Sequence, residues 1–256
     1  MELQAVIFDV DGTVAETADL HRAAFNRAFA EHGIGWHWDR EIFSNLMPVE
    51  FTLPKLRLFA LAAQRTGHAH VPDFELLAKI ATRKARIFSD MVREGAARLR
   101  PGVARLMAES RHQGLILAAV STSTRAETEA LLSATLGFSA LGWFASLKTS
   151  ENAGLPADMG GLYRAALADL GIKGSRAVAI DDSETGVQAA ADCGIAVIAT
   201  PGIYTSSHRF SMARLVISDL GQPAEPFTVL RGDSLGQSCA SPGLLRGINA
   251  PGAAAA

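Results

Sequence analysis

Short apolar runs, each closed by a polar or glycine-containing break, recur along the chain at Ala5–Val10, Leu115–Val120, Ala177–Ile180, Ala196–Ala199 and Leu215–Ile217. Runs this short, rich in Val, Ile and Ala, predict strands buried on both faces. Helical spacing fills most of the intervals, over Val103–Gln113, Ala126–Leu136, Leu162–Leu170 and Gly186–Asp192. Strand alternating with helix predicts an α/β fold with a parallel sheet and right-handed crossovers. In such sheets the chemistry gathers at the carboxyl ends of the strands.

The stretch from Ala15 to Arg98 breaks this rhythm and reads as helix after helix. Leu20, Ala24, Phe25, Ala28 and Phe29 fall on one apolar face, and Gly33 is a natural helix stop. The sheet rhythm resumes near Arg100-Pro101-Gly102. The predicted organisation is therefore a core of residues 1–15 and 99–227 with a helical cap, residues 16–98, inserted after the first strand. Residues 228–256 are rich in Gly, Ser, Ala and Pro and end in four alanines. They are expected to form a disordered tail that does not pack on the core.

Composition narrows the function classes. The chain has 256 residues, 48% hydrophobic and 20% charged, enough to bury a sizeable core. Its formal net charge of -2 and the lack of a dense Lys/Arg run argue against a nucleic-acid partner. The apolar run that follows Met1 is too short to cross a membrane, and no signal peptide is expected. Cys193 and Cys239 form neither a metal-like spacing nor a disulfide framework, so a reducing cytoplasm is expected. A monomer or weak dimer is the expected state.

Three strand ends carry candidate chemistry. In Phe8-Asp9-Val10-Asp11-Gly12-Thr13 two carboxylates sit two apart where a strand meets a glycine that lets the chain turn. One acid can attack while the other moves protons; the plainer reading is an acidic turn that closes a strand. In Ala179-Ile180-Asp181-Asp182-Ser183 two adjacent carboxylates repel each other unless a hard cation such as Mg²⁺ is present. Asp182 or Ser183 can equally cap the following helix. In Val120-Ser121-Thr122-Ser123, hydroxyls and backbone N–H groups at a strand end can hold a phosphate oxygen, although such clusters are common in loops.

Taken together, "FDVDGT", "AETADLHRAAFNRAF", "LRPGV" and "IDDSETGVQAA" resemble the haloacid dehalogenase superfamily, in its helical-cap group that includes β-phosphoglucomutase and the CbbY-type phosphatases. The likeness covers roughly residues 5–218. It implies a Rossmann-like three-layer core with a helical cap. It also implies Mg²⁺-dependent hydrolysis of a small sugar phosphate, with a ketose bisphosphate such as xylulose 1,5-bisphosphate as a candidate. By the same resemblance Asp9 attacks phosphorus and Asp11 acts as general acid and base. The metal falls to Asp9, the carbonyl of Asp11, and Asp182, with Asp181 beside it; the transferring phosphate falls to Ser121 and the N–H of Thr122. In the cap, Glu16 and His21 match residues that grip substrate. Lys55 and Arg57 match a Lys-x-Arg pair that binds a second phosphate, although Leu53-Pro54 stand where the group has two glycines.

One departure is larger. The family's Lys-Pro-x-Pro-Asp-x-Tyr segment carries a lysine that bridges nucleophile and phosphate. Here Leu155 or Ala157 falls at that position, and Lys148 is the nearby lysine that would have to substitute. The alternatives left open are a phosphomutase of the same fold and a non-catalytic sugar-phosphate binding protein.

Overall fold

The computed structural model describes residues 2–49, 51–65, 72–154 and 158–250. In chain order the elements are β1 (Ala5–Asp9), β2 (Ala15–Glu16), α1 (Ala18–Glu31), α2 (Arg40–Leu46), α3 (Thr52–Arg65), α4 (Phe74–Arg93), β3 (Arg98–Leu99), α5 (Val103–His112), β4 (Ile116–Val120), α6 (Arg125–Leu136), β5 (Phe144–Lys148), α7 (Met159–Leu170), β6 (Ala177–Asp181), α8 (Glu184–Asp192), β7 (Ala196–Ala199), β8 (Leu215–Ile217), β9 (Val229–Gly232) and α9 (Pro242–Asn249).

The main sheet has seven strands in the order β5-β4-β1-β6-β7-β8-β9. All neighbours are parallel except β8 and β9. This is the expected Rossmann-like α/β core. Every residue of β1, β6 and β7 is buried, as strands covered by helices on both faces must be. The order places the ends of β1, β4 and β6 side by side, so the three motif-bearing loops converge. Two apolar clusters form the layers: Val6, Phe8, Leu117 and Ile180 face one way, while Ile7, Ala118, Val120 and Ala179 face the other.

Helices α1 to α4 lie between β2 and β3, which pair antiparallel, Ala15 opposite Leu99 and Glu16 opposite Arg98. The chain thus leaves and re-enters the core through one short ribbon beside the end of β1. Asp73 starts α4 by accepting from the Leu76 N–H, and α1 packs on it through Phe25 and Phe29 against an aromatic cluster with Trp38 at its centre.

Two parts of the structure differ from expectation. Strand β5 escapes the pattern because it lies at the sheet edge and only Ser146 of its residues is fully buried. The disordered-tail expectation is corrected: residues 229–232 form β9 on β8, and α9 buries Leu244, Leu245 and Ile248 in the main core. Ser241 caps α9 at the Leu244 N–H, with Pro242 in its first turn. Few apolar residues suffice when they recur at helical spacing. Among the described residues no helix is long and apolar enough to cross a membrane.

Candidate active site

After β1 the chain turns at Gly12, which adopts a φ of 89°. Its Cα also lies against Asp182, where a Cβ would stand 2.6 Å from the carboxyl group. Only glycine satisfies both demands, and the close approach draws the β1 and β6 loops together. One oxygen from each of Asp9, Asp181 and Asp182 then lies within 4.8 Å of the others, and all three residues are buried.

These acids are not equivalent. Asp181 is fully provided with donors: Tyr163 Oη at 2.8 Å on one oxygen, and the Ser183 N–H and Oγ, each at 2.9 Å, on the other. Asp182 accepts from Thr205 Oγ1 at 3.1 Å. Asp9 Oδ2 is buried with no hydrogen-bond partner among the described residues. Burial, and then Asp181, Asp182 and Asp11, raise the Asp9 carboxyl well above the usual range. Burial and Asp181 push Asp182 up to about 8, against the pull of Arg100. An orphaned carboxylate oxygen beside two like-charged groups is an arrangement that a hard divalent cation relieves. The donor set, all carboxylate oxygen, fits Mg²⁺.

Asp11 turns its carboxyl away from this group. Thr17 Oγ1 at 3.0 Å and His21 Nε2 at 2.7 Å meet one oxygen, and Ser121 Oγ at 2.8 Å meets the other. Burial alone would raise Asp11, but His21, Ser121 and Ser123 outweigh it and hold the carboxyl well below the carboxylate range. The two acids of one motif therefore sit in opposite electrostatic conditions.

His21 is the link to the cap. Its ring stacks on Phe88 at 4.0 Å. The Lys84 ammonium stands 2.7 Å from Nδ1 and, having protons only to donate, fixes the ring proton on Nε2, where it is given to Asp11. Burial and Lys84 lower the His21 pKa, which keeps the ring neutral. Lys84 also pairs with Glu127 of α6 at 2.7 Å, and both side chains are almost completely buried. Asp11, His21, Lys84 and Glu127 thus form one chain that runs from the core through the cap and back.

The cavity over these groups is lined by Asp9, Asp11 and Asp182 and also by Glu16, Lys55 and Thr122. Burial raises Glu16 despite Arg100. Ser121 is fully buried beneath the cavity; its N–H is used by the carbonyl of Lys148, and its hydroxyl by Asp11. The expected Lys55–Arg57 pair is split. Lys55 faces the cavity, whereas Arg57 is exposed, with its guanidinium 5.8 Å from the ring centroid of the exposed Phe74. Two positions apart on a helix cannot share a face. Lys148 does not line the cavity: its ammonium pairs with Asp169 of α7 at 2.6 Å. Leu155 and Ala157 lie outside the described residues.

Sequence reasoning passed over Lys84, Tyr204 and Arg100. Tyr204 lines the cavity from the loop after β7 and donates to Asp19 of the cap at 2.6 Å. Arg100, at the end of β3, ties the loops together through the carbonyls of Gly12, Thr200, Pro201 and Ser218. For Lys84 a signal existed: it falls in the apolar stripe of Leu77, Ile80, Ile87 and Phe88, and a charge inside such a stripe needs a partner.

Residues 3–194 match the model of the haloacid dehalogenase-like hydrolases. The chain is 37% identical over 224 residues to the plasmid form of protein CbbY from Cupriavidus necator, covering 88% of both chains. Among solved structures, a variant CbbY from Rhodobacter sphaeroides in complex with xylulose 1,5-bisphosphate is similar at a TM-score of 0.79 and 34% identity, covering 87% of this chain and 98% of that one. β-Phosphoglucomutase from Clostridium difficile shares the fold at a TM-score of 0.67 and 17% identity, over 85% of this chain and 91% of that one.

Proposed function

Because the chain belongs to the haloacid dehalogenase-like hydrolases, and within them is a CbbY-like phosphatase, we propose that it hydrolyses a small sugar phosphate through an aspartyl-phosphate on Asp9. The observation that carries this reading is the split between the two acids of the first motif. Asp9, within the acidic cluster, offers an oxygen that has no partner among the described residues, whereas Asp11 is held by three donors.

Asp9 attacks phosphorus in line with the leaving oxygen, and Asp11 delivers a proton to that oxygen. Asp11 then takes a proton from the water that attacks the aspartyl-phosphate, which returns Asp9. The hydrogen bonds to Asp11 favour its anion, so the arrangement seen here is the base form. The negative charge of an entering phosphate raises Asp11 and draws the Ser121 hydroxyl toward the phosphate, which loads the proton for the first step. Mg²⁺ held by Asp9, Asp182 and the Asp11 carbonyl, with Asp181 beside it, would supply the charge that offsets repulsion between carboxylate and phosphate. Thr122, which lines the cavity, would offer its backbone N–H to a phosphate oxygen. Glu16, in the cavity wall, would hold a hydroxyl of the substrate, while His21, whose two ring nitrogens are taken by Asp11 and Lys84, acts through Asp11.

The finer reading is a ketose bisphosphate such as xylulose 1,5-bisphosphate. It is supported by the similar CbbY that was solved with that molecule and by Lys55 in the cap wall of the cavity. The same proposal takes the enzyme to be cytoplasmic and a monomer or weak dimer. A phosphate-release screen over sugar phosphates, with Mg²⁺ and with EDTA, tests the function. Mg²⁺-dependent release that is absent in Asp9→Asn is expected. Isomerisation without phosphate release would make the protein a mutase, and no conversion of any substrate would leave only binding.

A further inference from the structure

The segment that follows β7 is tied to the core at several points. The Arg100 guanidinium binds the Thr200 and Pro201 carbonyls. Gly202 lies so near the acidic groups that a Cβ there would stand 3.1 Å from Glu16 Oε2 and 3.7 Å from Asp182 Oδ2. Thr205 is fully buried; its Oγ1 accepts from the Gly202 N–H at 2.8 Å and donates to Asp182 Oδ2 at 3.1 Å. The Thr205 N–H closes the turn on the Gly202 carbonyl at 3.2 Å. Tyr204, inside this turn, meets the cap. Its Oη donates to Asp19 Oδ1 of α1 at 2.6 Å, and its ring stands edge-on to Phe43 of α2, with 5.7 Å between centroids. Burial would raise Asp19, but Tyr204, Arg22 and Arg40 outweigh it and favour the anion. Burial, and then Asp19, raise the Tyr204 phenol, so it keeps the proton it donates.

We propose that Tyr204 is a positioning residue that latches the closed cap to the core, and that Asp182 sets the place of this latch through Thr205. A tyrosine has few torsions to freeze, so on a turn held by Arg100 and Asp182 it presents its hydroxyl at one place. The contact requires α1 and α2 to sit over the cavity that Tyr204 lines. The Lys84–Glu127 pair ties α4 instead, so the two contacts hold different helices of the cap. Closure brings His21 to Asp11 and keeps water from the cavity, so the latch acts on the reaction without touching the reacting atoms. That role in the reaction rests on the phosphate chemistry proposed for Asp9; the latch itself does not.

The test measures the distance between cap and core in the full chain. Spin labels go on Leu61→Cys of α3 and Phe138→Cys in the segment after α6, both exposed positions, with Cys193→Ser and Cys239→Ser as background. Tyr204→Phe keeps the ring against Phe43 and removes the hydroxyl. Loss of a hydrogen bond to a carboxylate that water also reaches should raise the ratio of open to closed populations by about tenfold, with an unchanged circular dichroism spectrum. Asp19→Ala should open the cap at least as far, and adding Tyr204→Phe to it should open it no further. Thr205→Val, which frees the turn from Asp182, should shift the ratio in the same direction. An unchanged ratio in Tyr204→Phe, or additive opening in the double variant, would overturn the latch; an unchanged ratio in Thr205→Val would overturn the link to Asp182. Beryllofluoride with Mg²⁺, followed by fluorine NMR, reads the positioning role: its adduct should form about tenfold more weakly in Tyr204→Phe. Equal affinity in a chain whose cap has opened would overturn that role. No adduct in the parent would tell against the phosphate site, whereas the distances judge the latch, so the two readings fail separately.

Discussion

Lys84→Met is the most informative single change, because it removes an ammonium and keeps an apolar stem of similar length. In the parent, Lys84 and Glu127 meet at 2.7 Å with 2% and 1% of their side chains exposed. Burial would raise Glu127, but Lys84 and His21 hold it lowered. Removing one member of a buried pair costs about 3–5 kcal/mol, since the other charge stays behind without its partner. Glu127 retains Thr124 N–H and Oγ1 on its second oxygen, at 3.0 and 2.7 Å, which favours the lower end of that range. For a chain of this size roughly 2–4 °C is lost per kcal/mol, so the melting temperature should fall by about 6–12 °C. The double variant Lys84→Met/Glu127→Gln removes both charges and should recover part of that loss, with a coupling energy of about 1–3 kcal/mol. The assay is thermal and urea unfolding of the four proteins of the cycle. Turnover should fall as well, because His21 loses the donor that fixes its proton on Nε2. A Lys84→Met protein within about 1 kcal/mol of the parent, or a cycle with no coupling, would show that the pair does not hold cap to core.

Three further outcomes follow from the same charges. Asp182 is raised from 3.8 to about 8, so the folded protein binds this proton more tightly than the unfolded chain, and metal-free stability should fall as pH rises between those values; Mg²⁺ replaces the proton, so the melting-temperature gain from added Mg²⁺ should be larger at pH 8 than at pH 5, and a gain that does not change with pH counts against the cluster as the metal site. Asp9→Asn should abolish turnover yet raise the melting temperature of the metal-free protein, because it removes a repelling buried carboxylate, whereas Asp11→Asn should slow turnover and leave a beryllofluoride adduct on Asp9 detectable by fluorine NMR; an adduct in Asp9→Asn would remove it as nucleophile. Lys148→Ala should leave kcat within about threefold of the parent and cost at most about 1 kcal/mol, since its partner Asp169 is 44% exposed; a hundredfold loss would place Lys148 in the chemistry.

What the sequence made legible depended on how local the signal was. The buried strands and the Asp-x-Asp-Gly and Asp-Asp strand ends are contiguous, and a parallel sheet brings such ends together by topology alone. Arg57 misled because matching two residues of a loop says nothing about the helix face each one takes. Lys84 and Glu127 lie 43 positions apart on different helices, and no window of sequence joins them. The stretch after residue 228 looked unstructured because glycine, serine and proline dominate its composition, while its buried contribution comes from Leu244, Leu245 and Ile248 on one face of a short helix.

The division of charge between core and cap has a consequence for the order of events. The core strands bring Asp9, Asp11, Asp181 and Asp182 to one place, and the imidazole that meets Asp11, His21, comes from the cap, where Lys84 holds its other nitrogen. Tyr204 of the core reaches Asp19 across the same seam. Asp11 therefore has its imidazole donor only while the cap is seated. A lifted cap leaves the Asp11 carboxyl with Ser121 but without the 2.7 Å contact from His21, and its proton affinity rises as that stabilisation of the anion is lost. An open cap is thus the state in which Asp11 gains a proton most easily, and a closed cap is the state that favours its release. For the acid and base role proposed for Asp11, cap opening would favour loading of the proton and closure its delivery, and the buried Lys84–Glu127 pair lies across that seam.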